Sequence, residues 1–281
     1  FSFLMPGYLP PYKNFCARFE KPIVQEEDAN AVRRLNQLTG PFILRRMKAD
    51  VLRELPPKTE NIHRIELDTE QRKLYLAAVV DAREKLRAAK PEDKMAVFAV
   101  LMRLRQICCD PRLVADNWSG GSAKLDACME LVTAAVEGGH RILLFSQFTS
   151  MLDLLAQRLD EAGVSHFTLQ GSTPKPVRAE LVRRFNAGEA SVFLISLRAG
   201  GTGLNLTAAD IVIHYDPWWN VAAQNQATDR AYRIGQKNPV QVYKLIAQDT
   251  IEEKIVELQQ AKQSLADTVT GSADGAILSM K

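Results

Sequence analysis

The chain has 281 residues, 46% hydrophobic and 25% charged, with a formal net charge of +3. That balance suits a folded chain with one large or two modest cores and excludes disorder and collagen-like order. A charge this small does not by itself argue for nucleic acid, but it is concentrated. Residues 41–58, PFILRRMKADVLRELPPK, carry Arg45, Arg46, Lys48, Arg53 and Lys58 against only Asp50 and Glu54.

No run approaches the ~18 uncharged apolar residues of a membrane helix, so no membrane partner is expected. The start, FSFLMPGYLPPYKNF, has neither a basic leader nor a long apolar core, and without an initiator Met the chain reads as part of a longer one. Cys16, Cys108, Cys109 and Cys128 include no C-x-x-C pair, and His63, His140, His166 and His214 lie near none of them in ligand spacing. No metal site is expected, and the thiols read as reduced, in a cytosolic or nuclear compartment.

Residues 1–121 alternate helical patterns with proline breaks. The stretch 69–90 puts Leu74, Ala77, Ala78, Asp81 and Lys85 in helical register, and 93–109 is apolar on most sides. NWSGGS, 117–122, reads as a hinge or linker.

From residue 122 the rhythm changes to short apolar runs: RILLFS (141–146), HFTL (166–169), SVFLIS (191–196), DIVIHY (210–215) and VQVYKLI (240–246). Amphipathic helices lie between most of them, closed by Gly163, Gly188 and Gly235. Strands too apolar to leave a face in water predict a parallel sheet covered on both sides over 122–247. A final helix within 248–281 has a capping box at Thr250 and Glu253 and an apolar stripe at Ile251, Ile255, Leu258 and Leu265.

Ligands of such sheets bind in the loops beyond the carboxyl ends of the strands. Three candidates fall there. After the strand ending at Ser196, Gly200, Gly201 and Gly203 would let backbone approach a phosphate or ribose, or would merely form a tight turn. The spacing is not a dinucleotide fingerprint, which fails at Leu206, and no G-x-x-x-x-G-K-[ST] occurs in the chain.

After DIVIHY and the turn DPWWN, with Asn220 as cap, QATDRAYRIGQ places Gln226, Arg230 and Arg233 on one side of a predicted helix. Ala223, Ala227, Ala231 and Ile234 would anchor the adjacent face, leaving the arginines beside the sheet's ligand end. Two guanidiniums aimed alike suit a phosphate, although surface pairing with neighbours such as Asp229 is the plain alternative. The polar loops SQFTSM and LQGST, after the first two strands, suit a sugar–phosphate backbone.

In this order, the stretches resemble the second RecA-like lobe of the Swi/Snf-type superfamily-two ATPases, the double-stranded-DNA translocases of chromatin remodelling and DNA repair. ILLFSQFTSMLDLL resembles the family's fourth motif, LISLRAGGTGLNLTAADIVIHYDPWWN its fifth and QATDRAYRIGQ its sixth. GPFILRRMKADVLRELPPKTE and LRQICCDPRLV resemble its linker and helical protrusion, and IEEKIVELQQAKQ its brace helix. Val221 departs from a usual Pro, and Cys109-Asp110 from a common Asn-His. The largest departure is the family's whole first lobe, with its phosphate-loop lysine and magnesium-binding acidic motif.

The resemblance implies an α/β RecA-like sheet after a mainly helical region, with ATP and Mg2+ bound chiefly by the first lobe. Arg230 and Arg233 would then be arginine fingers helped by Gln226, with Gly201, Gly203, Asn205 and Asp229 near the nucleotide. Duplex DNA would meet Gln147, Ser150, Gly171, Ser172, Thr173, Arg198, Thr202 and Trp219, with the basic segment 45–58 a further candidate. The implied location is cytoplasm or nucleoid in a bacterium and nucleus in a eukaryote. The other reading is a stand-alone nucleic-acid or partner-binding module that kept the fold without the motor.

Overall fold

The computed structural model describes residues 1–26, 28–43, 55–88, 93–200 and 203–271, excluding the side chains of 88, 198, 200 and 264–271. It divides into two compact units, Phe1–Arg53 with Leu258–Lys281, and Glu54–Glu257.

In the first unit, helices α1 (Tyr12–Phe15), α2 (Lys21–Gln25) and α3 (Ala29–Thr39) surround a small core of Phe19, Ile23, Ala31 and Leu35. Asp28 caps α3 by accepting from the Asn30 N–H at 2.8 Å.

The second unit is built on six parallel strands in the order β1-β6-β5-β2-β4-β3: β1 (Lys58–Ile65), β2 (Ile142–Ser146), β3 (His166–Leu169), β4 (Val192–Ser196), β5 (Ile211–His214) and β6 (Val240–Ala247). Alternation decides which face each residue packs on. Ile142, Leu144, Val192, Leu194, Ile211 and Ile213 enter one core, and Leu143, Phe145, Phe193, Ile195 and Val212 the other. Helices α6 (Ala123–Glu137) and α7 (Thr149–Glu161) cover the first face with Leu125, Val132, Met151 and Leu155. The second face is covered by α8 (Lys175–Asn186), α9 (Leu197–Gly200) and α10 (Val221–Thr228), with Phe185, Ala199 and Ala227. This is the two-sided parallel sheet the sequence predicts.

One strand departs from the sequence reading. The β1 segment lies in the region read as helical, yet it pairs with β6 along its whole length, from Lys58↔Val240 to Ile65↔Ala247. Its pattern is missing because β1 is an edge strand: only Ile62 and Ile65 of KTENIHRI are apolar. Glu60 there bridges Lys58 and Lys244 at 2.7 Å each. Burial alone would push the Glu60 carboxyl up, but those two ammonium groups outweigh it and hold it at about 2.

Helices α4 (Thr69–Ala88) and α5 (Lys94–Cys109) form a hairpin-like projection whose core is Leu67, Tyr75, Ala82, Val100, Leu104 and Ile107. The buried stripe of α4 runs through Gln71, Tyr75 and Ala82; of the residues placed in register from sequence, Ala77, Asp81 and Lys85 face solvent. Gln71 bolts this region to the sheet domain, donating to the Ile107 carbonyl at 2.8 Å and accepting from the Ala123 N–H at 3.3 Å. The stretch 117–122, read as a hinge or linker, is mostly exposed and ends on Ser122, which is buried and donates to the Cys109 carbonyl at 3.2 Å.

The last helix, α11 (Ile251–Gly271), begins against that projection, because its Ile251 N–H donates to the Tyr75 hydroxyl at 2.8 Å and Ile251 packs on the same core. Ile255 is buried, whereas Leu258, placed on the apolar stripe from sequence, is 53% exposed. The box at its start is rearranged: the Thr250 hydroxyl accepts from the Glu252 N–H, and Glu253 accepts from the Asp249 N–H.

Candidate functional site

Strand order locates the site. After β2, the chain builds β4 and β3 on one side and β5 and β6 on the other, so the loops leaving β2, β4 and β5 flank a topological switch point at the carboxyl edge. Gln147 and Ser150 follow β2, and Trp219 follows β5, so both stand at that crevice.

The crevice floor is a buried polar network. The Ser146 hydroxyl donates to Asp216 Oδ1 at 2.6 Å, and the Gln147 N–H donates to the same oxygen at 3.2 Å. Arg105, fully buried near the end of α5, donates to Gln147 Oε1 at 2.9 Å, to Asp216 Oδ2 at 3.3 Å and to the Pro217 carbonyl. Its guanidinium lies 5.7 Å from the Phe148 ring centre and 5.5 Å from that of Trp219. Sequence reasoning missed Arg105 and Asp216; the available signal was a lone arginine within the apolar LRQICC stretch.

The loop after β3 is held by a second arginine that the sequence reading passed over. Arg178 of α8 donates to the carbonyls of Thr173 at 2.7 Å and Gly171 at 2.8 Å, while Thr173 Oγ1 accepts from the Gln170 N–H. Gly171 and Ser172 are left exposed. Gln170 donates to Asp153 of α7 at 3.0 Å, tying this loop to the element that follows Gln147 and Ser150. Arg198 lies on α9; its side chain, and all of Gly201, Thr202 and the 44–54 segment with Arg45, Arg46, Lys48 and Arg53, lie outside the described residues.

The arginine motif differs from its sequence reading. Asn220 caps α10 as predicted, accepting from the N–H groups of Ala222 and Ala223, but the helix ends at Thr228. Gln226 is therefore exposed on the helix, whereas Arg230 and Arg233 follow in turns and share no helical face with it. Ile234, placed on the anchoring face from sequence, is 71% exposed.

Past Thr228 the chain tightens, the Arg230 N–H donating to the Ala227 carbonyl and the Ala231 N–H to the Thr228 carbonyl at 3.1 Å each, and Gln236 then clamps the segment. In a continued helix the Ala231 carbonyl would receive the N–H four residues on. Here the Gln236 side-chain amide donates to it at 3.2 Å, and also to the carbonyls of Ala209 at 2.7 Å and Thr207 at 3.2 Å.

That clamp joins the arginine segment to residues 203–209. The Leu206 N–H donates to the Arg230 carbonyl at 3.0 Å, and Arg233 reaches the Leu204 carbonyl at 3.5 Å. Gly203 and Asn205 are exposed on that strip and Asp229 is half-buried beside Arg230. The structure thus brings Arg230 and Arg233 against residues 203–209, the strip that leads into β5. Arg230 is buried, and that burial, followed by the charge of Arg233, lowers its pKa.

Among the described residues no group of three His, Cys, Asp or Glu side chains could hold a metal ion, and no helix is long and apolar enough to cross a membrane. The buried thiols are inert, since burial pushes Cys128 up to about 12.

Comparison with known proteins then decides the family. The model for the helicase conserved C-terminal domain matches residues 123–235, and that for the SNF2-related domain matches residues 1–113. This chain belongs to the Swi/Snf family of ATPases.

A putative ATP-dependent helicase/translocase, YwqA of Bacillus subtilis, is 41% identical over 281 residues, covering 97% of this chain and 30% of that protein. An uncharacterized ATP-dependent helicase of Mycoplasma pneumoniae is 39% identical over 269 residues, covering 94% of this chain and 25% of its own length. The chain thus spans less than a third of these curated relatives.

The Swi/Snf fold is equally plain. The Sulfolobus solfataricus SWI2/SNF2 ATPase core in complex with dsDNA superposes with a TM-score of 0.66 at 33% identity, covering all of this chain and 60% of that one. The sheet is the RecA-like sheet of the Swi/Snf ATPase core.

Proposed function

We propose that this chain is the second motor lobe of an ATP-dependent double-stranded-DNA translocase. The observation that carries the reading is the crevice at the switch point, where Gln147, Ser150 and Trp219 leave one edge of the sheet over the Arg105–Asp216 network. Duplex DNA would lie across that edge, with phosphate contacts from the loops at Gln147–Ser150 and Gly171–Thr173 and from Arg198 and Thr202. The exposed hydroxyls of Ser150 and Ser172 and the exposed backbone at Gly171 suit the sugar–phosphate backbone and carry no base code. The similarity to an ATPase core solved with dsDNA supports this placement.

Arg230 and Arg233 supply the second half of the reading. Burial and the charge of Arg233 disfavour the Arg230 cation more than Asp229 favours it, and a further anion would favour it. ATP would supply the phosphoryl group, held with Mg2+ chiefly by the first lobe of the same polypeptide, because this chain has no phosphate-loop motif and, among the described residues, no group of three His, Cys, Asp or Glu side chains that could hold a metal ion. The arginines would neutralise charge growing on that phosphoryl group, with Gly201, Gly203, Asn205, Asp229 and Gln226 around the nucleotide.

The test is duplex binding by the chain across a salt series. Affinity should fall with log salt at about −0.9 per phosphate contacted and hardly vary with sequence. The chain alone should release no phosphate from ATP. Strong sequence preference, salt-indifferent affinity, or turnover by the isolated chain would each sink the reading.

A further inference from the structure

We propose that Asn186 is a positioning residue for the arginine segment, acting through the 203–209 strip against which Arg230 and Arg233 rest. The inference rests on the reading that these arginines act on ATP.

The strip has neither helix nor strand to fix it. Groups from two elements grip its backbone instead. The arginine segment supplies one set: the Leu206 N–H donates to the Arg230 carbonyl, the Leu204 carbonyl accepts from Arg233, and the carbonyls of Thr207 and Ala209 accept from Gln236. The other is Asn186, the last residue of α8, whose Nδ2 donates to the Asn205 carbonyl at 2.9 Å and whose Oδ1 accepts from the Ala208 N–H at 3.3 Å. Asn205 and Ala208 bracket Leu206, so the amide that sets them also sets the N–H on which the Arg230 carbonyl rests.

Neither helix capping nor burial explains that geometry. The end of α8 closes on its own backbone, the Ala187 N–H donating to the Arg183 carbonyl and the Gly188 N–H to the Phe185 carbonyl at 3.0 Å each, and Gly188 turns the chain at φ +90°. Asn186 is exposed, so water could satisfy its amide. It gives a donor and its acceptor to one strip all the same. Groups that stabilise a transition state must be held closely, since a misplacement of ~1 Å can cost about 10² in rate. Two exposed hydrogen bonds contribute modestly to stability, so their loss should show in turnover before it shows in folding.

The test is Asn186→Ala in the full-length protein, read as kcat and KM for ATP in DNA-stimulated turnover together with duplex affinity. Expected is a kcat lower by about tenfold, with KM and duplex affinity within about twofold of wild type, the pattern of an interaction that matters only in the transition state. In an Arg233→Ala background the same substitution should lower kcat little further, because residues that act as a unit are not additive. Asn186→Asp keeps the acceptor for the Ala208 N–H but loses the donor to Asn205; its kcat should fall likewise, and it decides if Asn186→Ala does not fold. Wild-type kcat in a folded Asn186 variant, beside a collapsed Arg233→Ala, would overturn this proposal alone. So would a full-sized further loss on top of Arg233→Ala, which would make the effect independent of the arginine. An Arg233→Ala protein that turns over like wild type would overturn the arginine reading and this inference with it.

Discussion

Lys124 and Glu252 form an ion pair with no exposed side-chain surface, joining the first turn of α6 to the first turn of α11. Glu252 Oε2 also accepts from the Ala247 N–H at 2.8 Å, and Lys124 donates to the Tyr215 carbonyl at 3.4 Å. The start of the last helix is thus fixed to the sheet by charge as well as by Ile251 and Ile255. Burial alone would push the Lys124 ammonium down, but Glu252 and the neighbouring groups hold its pKa above the ordinary value.

Breaking that pair from one side strands a buried charge. Lys124→Met is expected to cost about 3–5 kcal/mol, and the double variant Lys124→Met with Glu252→Leu to recover most of it. Urea unfolding of the two variants checks this. A double variant as unstable as the single one would show that the pair's charge is not what matters.

His214 predicts an acid limb to stability. It is 1% exposed, and its Nε2 pairs with Thr228 Oγ1 at 2.9 Å, while Nδ1 has no partner among the described residues. Burial, with Lys244 adding, lowers its pKa from 6.5 to about 3. The unfolded chain therefore takes up a proton between those values and the folded chain does not. Its stabilising contribution is complete above 6.5 and falls by about 1.4 kcal/mol per pH unit below it. Unfolding curves of wild type and His214→Leu from pH 7 to 4.5 should converge or cross as pH falls; a constant gap would contradict the prediction.

In the full-length protein, Arg233→Ala is expected to lower DNA-stimulated turnover by about 10³ or more, the scale of arginine fingers in phosphoryl transfer. Arg233 is exposed, as is its 3.5 Å hydrogen bond to the Leu204 carbonyl, so its variant separates chemistry from folding better than that of the buried Arg230. DNA affinity should stay nearly intact, because the effect is on the transition state. A fall in DNA binding with turnover retained would place the arginines on DNA instead.

Gln236→Ala should free the arginine segment from residues 203–209. It leaves the carbonyls of Thr207, Ala209 and Ala231 without their shared donor, at a cost of about 1–3 kcal/mol. Hydrogen exchange should quicken at the Leu206 and Arg230 amides while those of β2 and β4 keep their protection. Uniform protection across the domain would show that the clamp is dispensable.

Much of the fold was legible because it is written in short-range pattern. Continuous apolar runs such as ILLFS and VFLIS imply strands buried on two faces, and Ile142 and Leu143 do enter opposite cores. Gly163 and Gly188 end their helices at φ +66° and +90°, where a side chain would be strained. Asn220 caps α10 where its position before the helix predicts it. The order of the polar loops was enough to resemble the family that the comparisons then established.

What escaped the sequence depends on partners far along the chain. A polar edge strand has no pattern of its own, so β1 becomes visible only when β6 is beside it. The helix through the arginine motif stops at Thr228, and the segment after it is held by the Gln236 side chain on the carbonyls of Thr207 and Ala209, more than twenty residues earlier in the chain. Arg105 reads as an ordinary charge on an apolar helix; only tertiary structure brings Gln147, Asp216 and Trp219 around it. Hydrophobic period and capping act over a few residues and survive in the sequence, whereas the partners of a buried charge are chosen by topology, which sets them dozens of residues apart.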